Sequence, residues 1–131
     1  MSHFTTLKTR FVEKKFLKQA LSEVSSQFGL GEIRENAEVS GFGGNKTRAE
    51  IVVSTRNSGF DLGFRKSGDS FELVADWWGI RDFNQQNITH ALQQKYSYHA
   101  VREQLDEQGF ALVEEKVGTD KTVRLLLRRA I

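Results

Sequence analysis

The chain has no cysteine and no proline in 131 residues. Without cysteine there is no disulfide framework, no thiolate-ligated zinc or iron–sulfur site and no thiol nucleophile. The same absence suits a reducing, cytoplasmic setting. Without proline the usual mark of an inter-domain linker is gone, and no Gly/Ser-rich run replaces it. Long apolar runs are also missing: nothing approaches the roughly 18 consecutive apolar residues of a membrane span. Met1-Ser2-His3-Phe4-Thr5-Thr6-Leu7 lacks the apolar centre of a secretory signal. No repeat of solenoid period occurs. What remains is one domain over residues 1–131, with 38% apolar, 27% charged and 11% aromatic residues. A chain of this size buries roughly two-thirds of the surface it exposes when unfolded.

Periodicity supplies the elements. Phe4 to Thr9 suits a first strand. Val12, Phe16, Leu17, Ala20, Leu21, Val24 and Phe28 recur at spacings of three and four and predict a helix that stops at Gly29 and Gly31. Ala37 to Phe42 is a weak strand. Ala49, Ile51 and Val53, then Phe60, Leu62 and Phe64, then Phe71, Leu73, Ala75 and Trp77, alternate at period two. Gly41-Phe42-Gly43-Gly44-Asn45, Asn57-Ser58-Gly59 and Ser67-Gly68-Asp69 separate these runs, so the block reads as an antiparallel meander. A second helix spans about Asn84 to Gln108, before Gly109. Its apolar line drifts from Ile88, Leu92 and Tyr96 to Tyr98, Val101 and Leu105, which a kink near Ser97 or a wide buried face would explain. Phe110 to Val117 and Thr122 to Arg129 close the chain as strands. The order β-α-β-β-β-β-α-β-β predicts a two-layer α+β sandwich with a mainly antiparallel sheet and two helices. It reads as ferredoxin-like with extra strands.

Motifs of catalysis are scarce. The glycines at 41, 43 and 44 lead into a strand and no Gly-Lys-Ser/Thr follows, so they make a turn and no phosphate cradle. His90 and His99, nine residues apart, stand about 180° apart on one helix and cannot share a metal. No HExxH and no Gly-x-Ser-x-Gly is present, and no cofactor or metal is expected. A small-ligand or catalytic pocket would draw on Arg65, Asp76, Trp77, Tyr96, Tyr98 and His99, the densest polar–aromatic residues. Trp77, Tyr96 and Tyr98 equally suit core positions with their polar tips bonded.

The net charge of +2 conceals polarity. Residues 1–18 carry +4, residues 116–131 carry +4, and the remainder −6. In a ferredoxin-like sheet the first and last strands of the core motif are neighbours. Lys8, Arg10, Lys121, Arg124 and Arg128 would then form one basic patch able to meet nucleic acid or an acidic protein. The plainer account is that cations on edge strands prevent sheet-to-sheet pairing.

Gly59-Phe60-Asp61-Leu62-Gly63-Phe64-Arg65, Phe71-Glu72-Leu73-Val74-Ala75-Asp76-Trp77, Tyr96-Ser97-Tyr98-His99 and the opening Met-Ser-His-Phe with Lys8-Thr9 carry a resemblance. Together they resemble the hypothetical chloroplast reading frame thirty-five family of plastids and cyanobacteria, over nearly the whole chain. The resemblance implies cytoplasmic residence, stromal where the gene is plastid-encoded, and no established substrate. It also implies an accessory role beside an AAA-type ATPase. The chain departs from the family in the basic loop Gly41-Phe42-Gly43-Gly44 with Lys46 and Arg48, and in the Trp77-Trp78 pair. The expectation is a non-enzymatic binding or adaptor domain with a protein partner. Nucleic-acid binding through the basic ends, and a ligand or enzyme pocket, are the alternatives.

Overall fold

The computed structural model describes residues 3–117 and 123–129, with side chains to Phe110. The chain runs through β1 (Thr5–Lys8), α1 (Lys14–Phe28), β2 (Arg34–Ser40), β3 (Lys46–Ser54), β4 (Asp61–Ser67) and β5 (Ser70–Ala75). Then come α2 (Gln85–Glu107), β6 (Phe110–Val117) and β7 (Val123–Arg129). Single 3-10 turns lie at Phe42–Gly44 and Trp77–Gly79. The class and the element order are those the sequence predicts. The sheet order is β1-β5-β4-β3-β2, with every pairing antiparallel, and β6-β7 form a separate two-stranded sheet.

That order is not ferredoxin-like. Tight turns make β2 to β5 an uninterrupted meander, so no central slot is left for β1. It pairs at the β5 edge instead, with Thr6 opposite Val74 and Leu7 opposite Leu73. β7 pairs with β6 in the other sheet. The expected adjacency of the first and last strands is therefore not formed.

One sheet face meets both helices. α1 contributes Phe16, Leu17, Ala20, Leu21, Val24 and Phe28, all buried. The strands answer with Ile51, Val53, Leu62, Phe64, Phe71 and Leu73. Each such Leu, Ile, Val or Phe side chain contributes roughly 1.5–3 kcal/mol on burial. α1 lacks a side-chain cap at Glu13. The Tyr96 hydroxyl of α2 instead accepts the N–H groups of Val12 and Glu13, at 2.9 and 2.8 Å. The helix ends at Gly29, whose φ of 66° is the left-handed conformation glycine tolerates. α2 is one continuous helix with no break at Ser97. Ile88, Leu92 and Tyr96 are its buried residues, while Val101 is exposed.

On the other face Val39, Ala49 and Val52 form a smaller cluster with Phe4 and Ala37. Ala49 and Ile51 thus pack into different clusters although two residues apart. Across from the residue between them, in register, stands Asn36 at φ 50°. The end of the β2–β3 hairpin curls over this face. Val39 reaches past β3 to lie directly on Gly63 of β4, where a Cβ would collide with it.

Candidate functional site

Two buried carboxylates hold the curled hairpin. Asp61, at the start of β4, accepts the Ser40 N–H at 2.8 Å and faces Arg34 at 3.5 Å. Asp76, directly after β5, is 2% exposed. Its Oδ2 accepts the Phe42 N–H at 3.0 Å and its Oδ1 the Trp78 N–H at 3.3 Å. The second bond has the local geometry of a short acidic side chain capping the turn that follows it. The first spans 34 residues of sequence. Charge-assisted bonds to both oxygens offset the loss of solvation that a buried carboxylate suffers.

This bridge sets two aromatic rings side by side. Phe42 and Trp78 are in edge contact, with centroids 5.0 Å apart and planes at 80°. They are 45% and 58% exposed, so large apolar surface stands in solvent. Phe60, half-buried on a third loop, joins them at 6.2 Å from Trp78, tilted by 47°. Its ring covers Gly79, leaving no room there for a Cβ. The two tryptophans divide: Trp77 turns inward, its centroid 6.2 Å from Phe83, against the main core, and Trp78 turns out. Asp61-anchored Ser40 and Asp76-anchored Phe42 are neighbours on one short stretch, so the ring cluster rests on fixed backbone.

The residues singled out for a pocket are spread over both faces. Arg65 lies on the face away from the helices, bonded to Glu72 at 2.9 Å and Thr47 at 3.3 Å. Asp76 also lies there, engaged as above. Trp77 and Tyr96 belong to the main core, Tyr96 against Phe11 and Phe16. Tyr98 and His99 stand on α2, their rings 5.2 Å apart, with Arg102 donating to the Tyr98 hydroxyl at 3.2 Å. His99 pairs with Glu23 of α1 and lines a shallow cleft of about 420 Å³ with Lys18, Gln19, Ser22, Glu23 and Ile33. The other five candidates do not line that cleft. Among the described residues no group of His, Asp and Glu is placed to hold a metal ion.

Of the basic candidates, Lys8 is exposed on β1, beside Glu72 in register, and Arg10 is exposed just after it. Lys121 and the side chains of Arg124 and Arg128 lie outside the described residues. Among those residues no helix is long and apolar enough to cross a membrane.

Phe42, Phe60 and Trp78 were not among the residues the pocket reading selected. A signal for two of them is present: Phe42 stands among glycines at the end of a weak strand, and Asp-Trp-Trp-Gly pairs a capping acid with two adjacent rings that a turn sends to opposite sides. The fold puts these two places in contact.

A family model described as "Protein of unknown function (DUF1257)" matches residues 20–126. The chain is similar to a protein named uncharacterized protein ycf35 from Guillardia theta, 30% identical over 98% of each chain. It is also similar to one of the same name from Pyropia yezoensis, 27% identical over 98% of each. No solved structure matches.

Proposed function

We propose, from the premise that the chain belongs to the DUF1257 family of proteins of unknown function, that it is a small binding or adaptor module engaging a protein partner. One observation supports the reading: Phe42 and Trp78 are held in contact, about half exposed, on a single buried aspartate. Trp and Phe are enriched at the energetic centres of protein interfaces, where a few such residues supply most of the affinity. Rings already fixed by their backbone lose little freedom on docking. An accessory role beside an AAA-type ATPase, implied by the family resemblance, fits such a module, and such an ATPase is the first partner to test. The resemblance also suggests the cytoplasm, or the stroma for a plastid-encoded copy, as its place of work.

Co-purification tests this. A tagged full chain should retain a protein that Trp78→Ala, folded to the same extent by circular dichroism, releases. The reading falls if the natural chain is recovered alone, or if Trp78→Ala retains the same proteins in the same amounts.

A further inference from the structure

We infer that the aromatic cluster receives an acidic segment carrying one apolar anchor side chain; this rests on the docking reading above and names the chemistry of the partner. The shape of the cluster comes first. Trp78 meets Phe42 at 80° and Phe60 at 47°, so the three rings face in different directions. They offer no flat platform on which successive bases could stack in parallel, as single-stranded nucleic acid requires. A single aliphatic or aromatic side chain suits the exposed surface that Phe42 and Trp78 share. Beside Phe42, Gly43 and Gly44 have nothing within 4 Å of where a side chain would begin, so approach from that side is open.

Charge gives the second half. The turns that carry the three rings, and the residues flanking them, expose Lys46, Arg48, Arg56 and Arg81. Against these four cations stand two exposed acids, Asp82 and Glu38, the latter opposite Arg48 in the β2–β3 ladder. Asp76 is buried with its oxygens already bonded. Lys46 meets Glu38 at 3.4 Å and Arg48 donates to the Asn36 carbonyl at 2.6 Å, yet both remain exposed. An exposed apolar ring patch whose margin carries an excess of cations is complementary to an apolar anchor with acidic neighbours. The anchor supplies affinity, and the charges speed encounter and reject basic partners.

A phage-displayed library of random linear peptides, selected on the full-length chain, provides the probe. Recovered peptides should place Asp or Glu on both sides of a Phe, Trp or Leu. A labelled copy of one such peptide should bind about tenfold or more weaker to Trp78→Ala, the loss expected of an interface anchor. It should bind severalfold weaker to the double variant Arg48→Glu, Arg81→Glu, and the natural affinity should fall with salt. Peptides that depend on Trp78 but show no acidic bias, and ignore the double reversal, overturn the acidic partner and leave the docking reading standing. Recovery of no Trp78-dependent peptide overturns both. An oligo(dT) probe that binds the chain and is lost in Trp78→Ala overturns the inference in favour of single-stranded nucleic acid.

Discussion

The Asp76 carboxylate accepts the backbone N–H of Phe42 at 3.0 Å, tying the tip of the β2–β3 hairpin to the end of β5. Its other oxygen holds Trp78. One buried side chain thus ties together the two turns that carry the exposed ring pair.

Asp76→Ala leaves two backbone donors without that partner. The expected loss is about 2–4 kcal/mol, from a penalty of roughly 1–3 kcal/mol for each donor left unmet and partial replacement by water. Asp76→Asn, which keeps one acceptor oxygen, should lose less. Urea unfolding followed by tryptophan fluorescence measures both. Equal stability of Asp76→Ala and the natural chain would mean that the bridge does not hold the hairpin.

Gly63 has a different role, since its φ is not in the left-handed region and its need is for space. Val39 occupies the position a Cβ would take, and the Ala49 Cβ lies 3.2 Å from it. Gly63→Ala should destabilise by about 1–3 kcal/mol, the usual range for overpacking a closed site. Adding Val39→Ala should recover part of that loss, because it removes the atoms that collide. Thermal unfolding of the two single variants and the double variant completes the cycle. Strictly additive losses would show that the two positions do not touch.

Much of this fold is legible in the sequence, and the reason is local. Alternation at period two in Phe60–Leu62–Phe64 and Phe71–Leu73–Ala75, with tight turns between, specifies hairpins without reference to anything distant. The buried face of α1 follows from spacing in the same way. Where β1 sits does not follow, because its four residues pair with β5 some 65 residues later, and tertiary closure decides that. The site divides likewise. Asp76 reads as an acid among aromatics, and its bond to Trp78 is local. The bond to Phe42 spans 34 residues and has no counterpart in spacing. Tyr96 reads as either core or site; its neighbours Phe11 and Phe16 and its bonds to the α1 entry place it in the core.

Tyr96→Phe tests that placement. The ring keeps its contacts with Phe11 and Phe16, while the N–H groups of Val12 and Glu13 lose the hydroxyl that accepts both. Because these donors are only partly buried, water takes over some of the bonding. The expected loss is about 1–2 kcal/mol. Amide exchange should quicken at Val12 and Glu13 and at the first turn of α1, with the C-terminal turns unchanged. Uniform quickening along α1 would instead indicate a general loss of packing.

Glu35 links β2 to α1 through two lysines. Lys14 and Lys18 both reach its carboxylate, Lys18 at 3.0 Å. Hydrogen bonds from Lys14 and then Lys18, reinforced by their positive charge, hold its pKa below the usual carboxylate value. A carboxyl with a depressed pKa in the folded state binds protons more weakly there than in the unfolded chain. Its contribution to stability is thus fully present above the unfolded carboxylate range and is lost as pH falls through the folded pKa. Lys15 is the mirror case. Its hydrogen bond to Glu103 raises its pKa, so its contribution is lost as pH rises through that raised value. Glu35→Gln should therefore lower the urea midpoint at neutral pH by a small amount, since all three side chains stand in solvent and salt screens them. The gap between variant and natural chain should close once the carboxyl is protonated in acid, and narrow in high salt at neutral pH. Urea midpoints across that pH and salt grid decide the matter. A gap that survives acid would have to come from the shape of the Glu35 side chain, because its charge would no longer be there to supply it.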